Sequence, residues 1–297
     1  MFCRLRPSAF QLILMLLLGL SACNTLFAPK STPTPLEPTA TPLPPTATPE
    51  PAAATVNGEI ISVGEFQAEV ARYQSAQQAL GKVVSGGDAG HAVLEDLIAQ
   101  TLLAQGARAA GHELSEADVQ ARIQALAASM GGADQLSAWQ AAHGYAAGSF
   151  AAALKRSAEA AWMRDEIAAE VPPSADQVQL QQILLYNAEA ANQVVAQLSN
   201  GADFAELAAR YDPVTDGELG WVPKGYLLDP QLEAAAFALQ PGGHSEVIAT
   251  EAGYHIVMVI ARGDHPLSPD ALLVLQEFAL QDWLAQQRAQ SAIQMAP

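Results

Sequence analysis

Between Val178 and Arg262 the chain carries polar side chains suited to a fixed hydrogen-bond network: Gln181 and Gln182 beside an apolar run, Asp212 and Asp216 in a short turn, and Thr250 five residues before His255. Leu227, Leu228, Leu232 and Phe237 lie in the same stretch and supply apolar bulk. A hydroxyl, an imidazole and an amide can each donate and accept, so these residue types support a polar network beside an apolar cup. The stretch has no cysteine, because Cys3 and Cys23 both lie far upstream. The six histidines, at 91, 112, 143, 244, 255 and 265, show no His-x-x-x-His or Cys-His spacing suited to zinc, and no Walker or dinucleotide glycine pattern occurs. These patterns supply no thiolate nucleophile, no zinc site and no phosphate-binding loop.

These side chains sit in an ordered series of local patterns. Ile183-Leu184-Leu185 is an apolar run, Ala188 to Asn200 is amphipathic, and Gly201-Ala202-Asp203-Phe204-Ala205-Glu206-Leu207-Ala208 opens another helix. Then come Gly217-Glu218-Leu219-Gly220-Trp221, Leu232-Glu233-Ala234-Ala235-Ala236-Phe237-Ala238-Leu239, Pro241-Gly242-Gly243 and Gly253-Tyr254-His255-Ile256-Val257. The series resembles the parvulins, the small rotamase family of peptidyl-prolyl isomerases. That resemblance implies rotation about X-Pro bonds, whose barrier of roughly 18–20 kcal/mol comes from amide resonance. A catalyst need only grip the proline ring and favour the twisted amide, each 1.4 kcal/mol being worth about tenfold.

The resemblance also assigns roles. His255 matches the family's second histidine and Thr250 its neighbouring threonine; Leu227 or Leu228 falls where parvulins place a methionine, Leu232 where they place a phenylalanine, and Phe237 on the helix that floors the cup. Asp212, with Asp216 as the alternative in this shortened loop, falls at the family's Asp or Cys position. Where parvulins carry their first histidine this chain has Gln182, and the neighbouring Gln181 restores no imidazole. Glutamine can bond to Thr250 or His255 but cannot protonate near neutral pH, which implies a weak or inactive isomerase. No cluster of Lys or Arg suggests a phosphorylated substrate.

The start of the chain reads as an export signal: Arg4 and Arg6, an apolar run from Phe10 to Leu20, and Leu20-Ser21-Ala22-Cys23. The last four residues resemble a lipobox, implying lipidation of Cys23. From Lys30 to about Ala54 the chain is nearly all Thr, Pro and Ala, an extended tether reaching roughly 70 Å at about 3.1 Å per residue. With 31 acidic against 14 basic residues, a net charge of −17, the protein is not suited to nucleic acid or to an anionic lipid surface.

The folded body opens at Val56-Asn57-Gly58-Glu59-Ile60-Ile61, where Asn-Gly predicts a tight hairpin. Helices follow from Ser62, over about His91 to Ala110, from Ser115, over Ala133 to Ala142 and over Phe150 to Ala169, with a last one starting at Ser268-Pro269-Asp270. The stripe on that last helix, Leu272, Leu275, Ala279 and Trp283, predicts packing on the N-terminal lobe.

The expected fold is α+β: an all-helical chaperone-like lobe, built from the N-terminal segment plus the C-terminal helix and similar to SurA-type and PrsA-type foldases, with an inserted parvulin-like (FKBP-like) domain. That domain is a four-stranded antiparallel sheet surrounded by helices. The expected boundaries are a signal at 1–22, tether 23–54, N-terminal lobe 55–173, parvulin-like domain 174–263 and C-terminal helix 264–297. The function implied is an extracytoplasmic, lipid-anchored prolyl isomerase of the bacterial cell membrane, acting on unfolded exported polypeptides and X-Pro segments. The alternative is a non-catalytic holdase.

Overall fold

The computed structural model describes residues 51–146 and 148–296. The signal-like run, Cys23 and nearly all of the tether lie outside the described residues.

The N-terminal lobe is organised by a hairpin and five helices. Strands β1 (Ala52–Val56) and β2 (Glu59–Ser62) pair antiparallel across Asn57 and Gly58, whose φ values of 52° and 85° make the two-residue turn that asparagine and glycine favour. Among the described residues the first strand starts at Ala52, inside the last residues of the Thr/Pro/Ala run, because Ala52 and Ala54 find partners on β2. Helix α1 (Val63–Ala79) is capped by Ser62, and α2 (Gly86–Ala109) starts five residues before the predicted His91 because Ser85 caps it through Asp88. The reciprocal Ser115–Asp118 capping box opens α3 (Glu116–Ser129), followed by α4 (Ala133–Ala142) and α5 (Ser149–Ala169).

Two aliphatic sets form this lobe's core. Val56, Ile61, Leu97, Ile98 and Leu102 pack together with Trp283 and Leu284 at their margin. Leu103, Ala160 and Ile167 meet Ala279, Leu280 and Trp283. Glu159 is fully buried on α5, accepting from Arg108 Nη1 at 2.7 Å and from the Leu114 backbone N–H at 3.0 Å.

The inserted domain is a sheet of order β4-β3-β6-β5: β3 (Ser174–Leu185), β4 (Glu218–Pro223), β5 (Ile248–Thr250) and β6 (Gly253–Pro266). Helices α6 (Ala188–Ser199) and α7 (Phe204–Tyr211) cover one face through Ile183, Leu185, Val194, Leu207 and Ile256. Helix α8 (Pro230–Ala238) covers the other through Val178, Leu180, Val222 and Val259. The run Gly263-Asp264-His265-Pro266, which crosses the boundary expected at 263, is strand, paired with Gln177 to Ser174. It stays in the sheet because Gln177 donates to the carbonyls of His265 and Pro266, Arg262 pairs with Asp176 at 2.6 Å, and Trp221 stacks on the His265 ring.

After β6 the chain returns to the first lobe. Helix α9 (Pro269–Gln290), capped by Ser268, lies on α2 and α5, and Trp283 fits over Gly106, where an added Cβ would stand 2.7 Å from the indole. Strand β7 (Ile293–Met295) then pairs with β1, making the three-stranded sheet β2-β1-β7. The lobe thus holds a small sheet besides its helices. Among the described residues no helix is long and apolar enough to cross a membrane.

Candidate functional site

The face of the sheet under α8 carries the polar network. Alternation along β3 sends Ile183 and Leu185 towards α6 and α7, so Gln182 points the other way, and the β3–β6 register places His255 opposite Leu184 on that same face. His255 is thereby a diagonal neighbour of Gln182, and its Nδ1 lies 3.2 Å from Gln182 Oε1. The tight β5–β6 turn brings Thr250 alongside, with Oγ1 at 2.9 Å from His255 Nε2. Thr250 Oγ1 also accepts from the Ala252 N–H at 3.1 Å, which fixes its position. Gly253, at φ 143°, allows that turn to sit against β3; a Cβ there would lie 2.6 Å from the Leu185 carbonyl oxygen.

Both ring nitrogens of His255 are thus engaged. With Gln182 presenting Oε1, Nδ1 carries the proton and Nε2 accepts from the Thr250 hydroxyl. Only 7% of the residue is exposed. Burial holds the ring's pKa below its usual value near 6.5, partly offset by the negative charge of Asp229 at the N-cap of α8. The imidazole is neutral at physiological pH and anchors its neighbours; it has no free nitrogen with which to take a proton from a substrate.

Asp212 makes no hydrogen bond to this trio. Its carboxylate accepts from the Val214 and Thr215 N–H groups, at 3.1 and 3.2 Å, and from the Thr215 hydroxyl. The Thr215 hydroxyl, then these backbone donors, hold the Asp212 carboxyl below the usual carboxylate range. The side chain closes its own turn. What ties that turn to the site is Gln181: only 5% exposed, on the face opposite Gln182, it donates to the Asp216 carbonyl at 2.7 Å. Gly217 completes the join. The Gln182 N–H donates to its carbonyl at 2.8 Å, and at φ 70° any Cβ would run into the Gln182 carbonyl oxygen.

The apolar candidates divide three ways. Leu227 and Phe237 pack into the core between α8 and the sheet, Leu232 is buried on α8, and Leu228 is fully exposed. Asp229 Oδ1 accepts from the Gln231 and Leu232 N–H groups, and Glu233 Oε2 accepts from Gly225 N–H at 2.6 Å, so the loop carrying Leu227 and Leu228 is pinned at both ends. Asp229 and Glu233 could have been found from the Asp-Pro-x-x-Glu pattern at a helix start. Among the described residues no group of His, Cys, Asp and Glu could hold a metal ion.

Two family patterns match the chain: the PPIC-type PPIASE domain at residues 171–261, and the SurA-like N-terminal domain at residues 46–146. The foldase protein PrsA of Halalkalibacterium halodurans is 39% identical over 93 residues, 30% of this chain and 28% of that protein. The chaperone SurA of Cupriavidus pinatubonensis is 32% identical over 111 residues, 33% of this chain and 22% of that protein. A crystal structure of the peptidylprolyl isomerase PrsA from Bacillus anthracis aligns with a TM-score of 0.40 at 22% identity, covering 65% of this chain and 89% of that one. The matched segment spans about a quarter of the length of the two curated relatives.

Proposed function

We propose that this chain, whose residues 171–261 are a parvulin-type (PPIC-type) peptidyl-prolyl isomerase domain and whose residues 46–146 are a SurA-like N-terminal domain, is an extracytoplasmic foldase that turns X-Pro bonds in unfolded exported polypeptides. The observation that carries the reading is His255 held neutral between Thr250 and Gln182 with both ring nitrogens engaged. Such a ring is poor at proton transfer but good at fixing the position of a hydroxyl and an amide. Isomerisation needs that and no more, because no covalent bond is made or broken.

In this reading the prolyl ring packs beside α8 against the little of Leu232 that is exposed and against Leu228, which is fully exposed in the free protein. Thr250 gives its one proton to His255 and so fixes the ring, while the Gln182 amide N–H2, whose Oε1 faces His255 Nδ1, is the group that offers hydrogen bonds to the twisting carbonyl. Asp212 shapes the loop that walls the site and does not touch the amide. Gln182 does the orienting work of the family's first histidine with an amide. An amide cannot share a proton with His255, so turnover is weaker than with two imidazoles.

The signal-like start, Cys23 and the Thr/Pro tether support an envelope location with the body held off the membrane by a lipidated Cys23. The test of the enzymatic reading is cis-trans isomerisation of an Ala-X-Pro-Phe peptide. Weak acceleration is expected from the native protein, rising about tenfold in Gln182→His. Absence of any acceleration over buffer in both proteins would overturn it and leave the holdase.

A further inference from the structure

Helix α9 faces two ways. Ala279, Leu280 and Trp283, on its later turns, pack against Leu103, Ala160 and Ile167 of the N-terminal lobe. Just before them, Gln276 Nε2 donates to the Ala168 carbonyl at 3.2 Å, which fastens this part of the helix to the end of α5. Leu275 and Phe278, three residues apart and hence neighbours on one helix face, belong to neither of the lobe's two core sets. They meet Gly225 of the isomerase domain: a Cβ added there would stand 3.3 Å from Leu275 Cδ2 and 3.8 Å from Phe278 Cδ2. Leu275, part of the stripe expected to pack on the lobe, thus reaches the inserted domain. Gly225 admits this approach because it has no side chain, and its φ of 90° suits glycine.

Gly225 lies at the start of the loop between β4 and α8. Its N–H donates to Glu233 Oε2 at 2.6 Å. Three residues on comes the fully exposed Leu228, and then Asp229, which caps α8 through the Gln231 and Leu232 N–H groups. Leu228, set beside the prolyl ring in the reading above, therefore hangs between two fixed points. The Asp229 end is held from within the domain. The Gly225 end is held by one hydrogen bond from within and by α9 from outside. Removing that outer wall frees the loop to shift, and a shift of about 1 Å at a group that grips substrate is enough to weaken the grip.

We propose that Leu275 and Phe278 are positioning residues for prolyl binding: from outside the isomerase domain they hold the Gly225 end of the loop and so set where Leu228 stands against the substrate. The inference rests on the isomerase reading for what the loop binds, and it makes α9 part of that site as well as of the lobe. Neither residue touches the substrate.

The test uses the full chain carrying Phe278→Ala or Leu275→Ala, with Glu277→Ala as a control on the same helix. Binding of a fluorescein-labelled Ala-Ala-Pro-Phe peptide is followed by anisotropy, and kcat and KM are measured on the same sequence. Each of the first two variants should weaken binding and raise KM roughly three- to tenfold, with kcat within about twofold of native, because the Gln182–His255–Thr250 network lies on the sheet and stays in place. Glu277→Ala should change neither. Phe278→Leu, which keeps apolar bulk against Gly225, should restore most of the affinity. Amide hydrogen exchange over residues 224–229 should quicken in both alanine variants, with β3, β6 and both calorimetric transitions unchanged. Phe278 is 45% exposed, so its truncation spares the lobe's core; if Leu275→Ala loses a transition, Phe278→Ala decides alone. Native affinity in Phe278→Ala overturns the proposal, and so does a fall in kcat at unchanged KM. If the native protein neither binds nor turns over the peptide, the isomerase reading fails by itself and exchange decides the positioning, unchanged rates over 224–229 overturning it.

Discussion

His255 illustrates how much a single buried residue constrains. Its folded pKa lies below the usual 6.5, chiefly through desolvation, so the folded state favours the neutral ring. An unfolded chain takes up that proton at the higher, ordinary value. The network's contribution to stability is therefore complete above about pH 6.5 and is lost as pH falls through the folded pKa. Isomerase activity is expected to follow the same course: flat from pH 7 to 8 and falling below about 6.5, with a midpoint on the acid side of that value. In His255→Gln the inflection should vanish along with most of the activity. An unchanged acid limb in that variant would move the titrating group elsewhere. The roles of Gln181 and Gln182 also separate at this scale. They are adjacent and chemically identical, yet strand alternation puts one under the loop and the other on the imidazole, and a one-residue slip would exchange them.

Among the elements, α5 depends on a charge. Glu159 is fully buried and satisfied by Arg108 on α2 and by the N–H of Leu114 in the α2–α3 turn, so it ties three pieces of the lobe at one point. Removing it leaves Arg108 only its bond to Glu59 and leaves a backbone donor unpaired. Glu159→Ala is expected to cost about 3 kcal/mol in urea unfolding of the lobe. A loss under about 1 kcal/mol would show that water takes over the glutamate's role. Helix α9 is held by shape, its Trp283 resting where α2 has Gly106. At the same scale the open edge of β2 contrasts with β1, which is paired on both sides.

For the molecule as a whole, the chain leaves the N-terminal lobe after α5, builds the isomerase domain, and comes back to finish what it started. α9 and β7 supply a helix and a strand to a lobe whose other parts lie before residue 170. Truncation after Leu267 should therefore abolish the lobe's cooperative melting and leave the isomerase domain folded, as two calorimetric transitions reduced to one. Retention of both would mean the lobe is complete without its last segment. At the other end, Cys23→Ser is expected to release the protein from the membrane fraction into the soluble envelope fraction, read by fractionation and by loss of acyl mass on the N-terminal peptide.

What the sequence determined by itself was everything carried by short range. The Ser62, Ser115 and Ser268 caps, the Asn57-Gly58 turn and the spacing of Thr250 to His255 are each written within a few consecutive residues, and each formed locally as read. The tertiary structure alone decided the long-range joins. These are β7 beside β1, β6 running on through His265, Gln181 beneath the Asp216 turn, and Arg108 joining Glu59 to Glu159. The physical reason is that a strand's partner and a buried charge's counterion are chosen by burial and hydrogen-bond satisfaction across the fold. Segments far apart in the chain meet to satisfy them, and local pattern has no means of recording which segments those are.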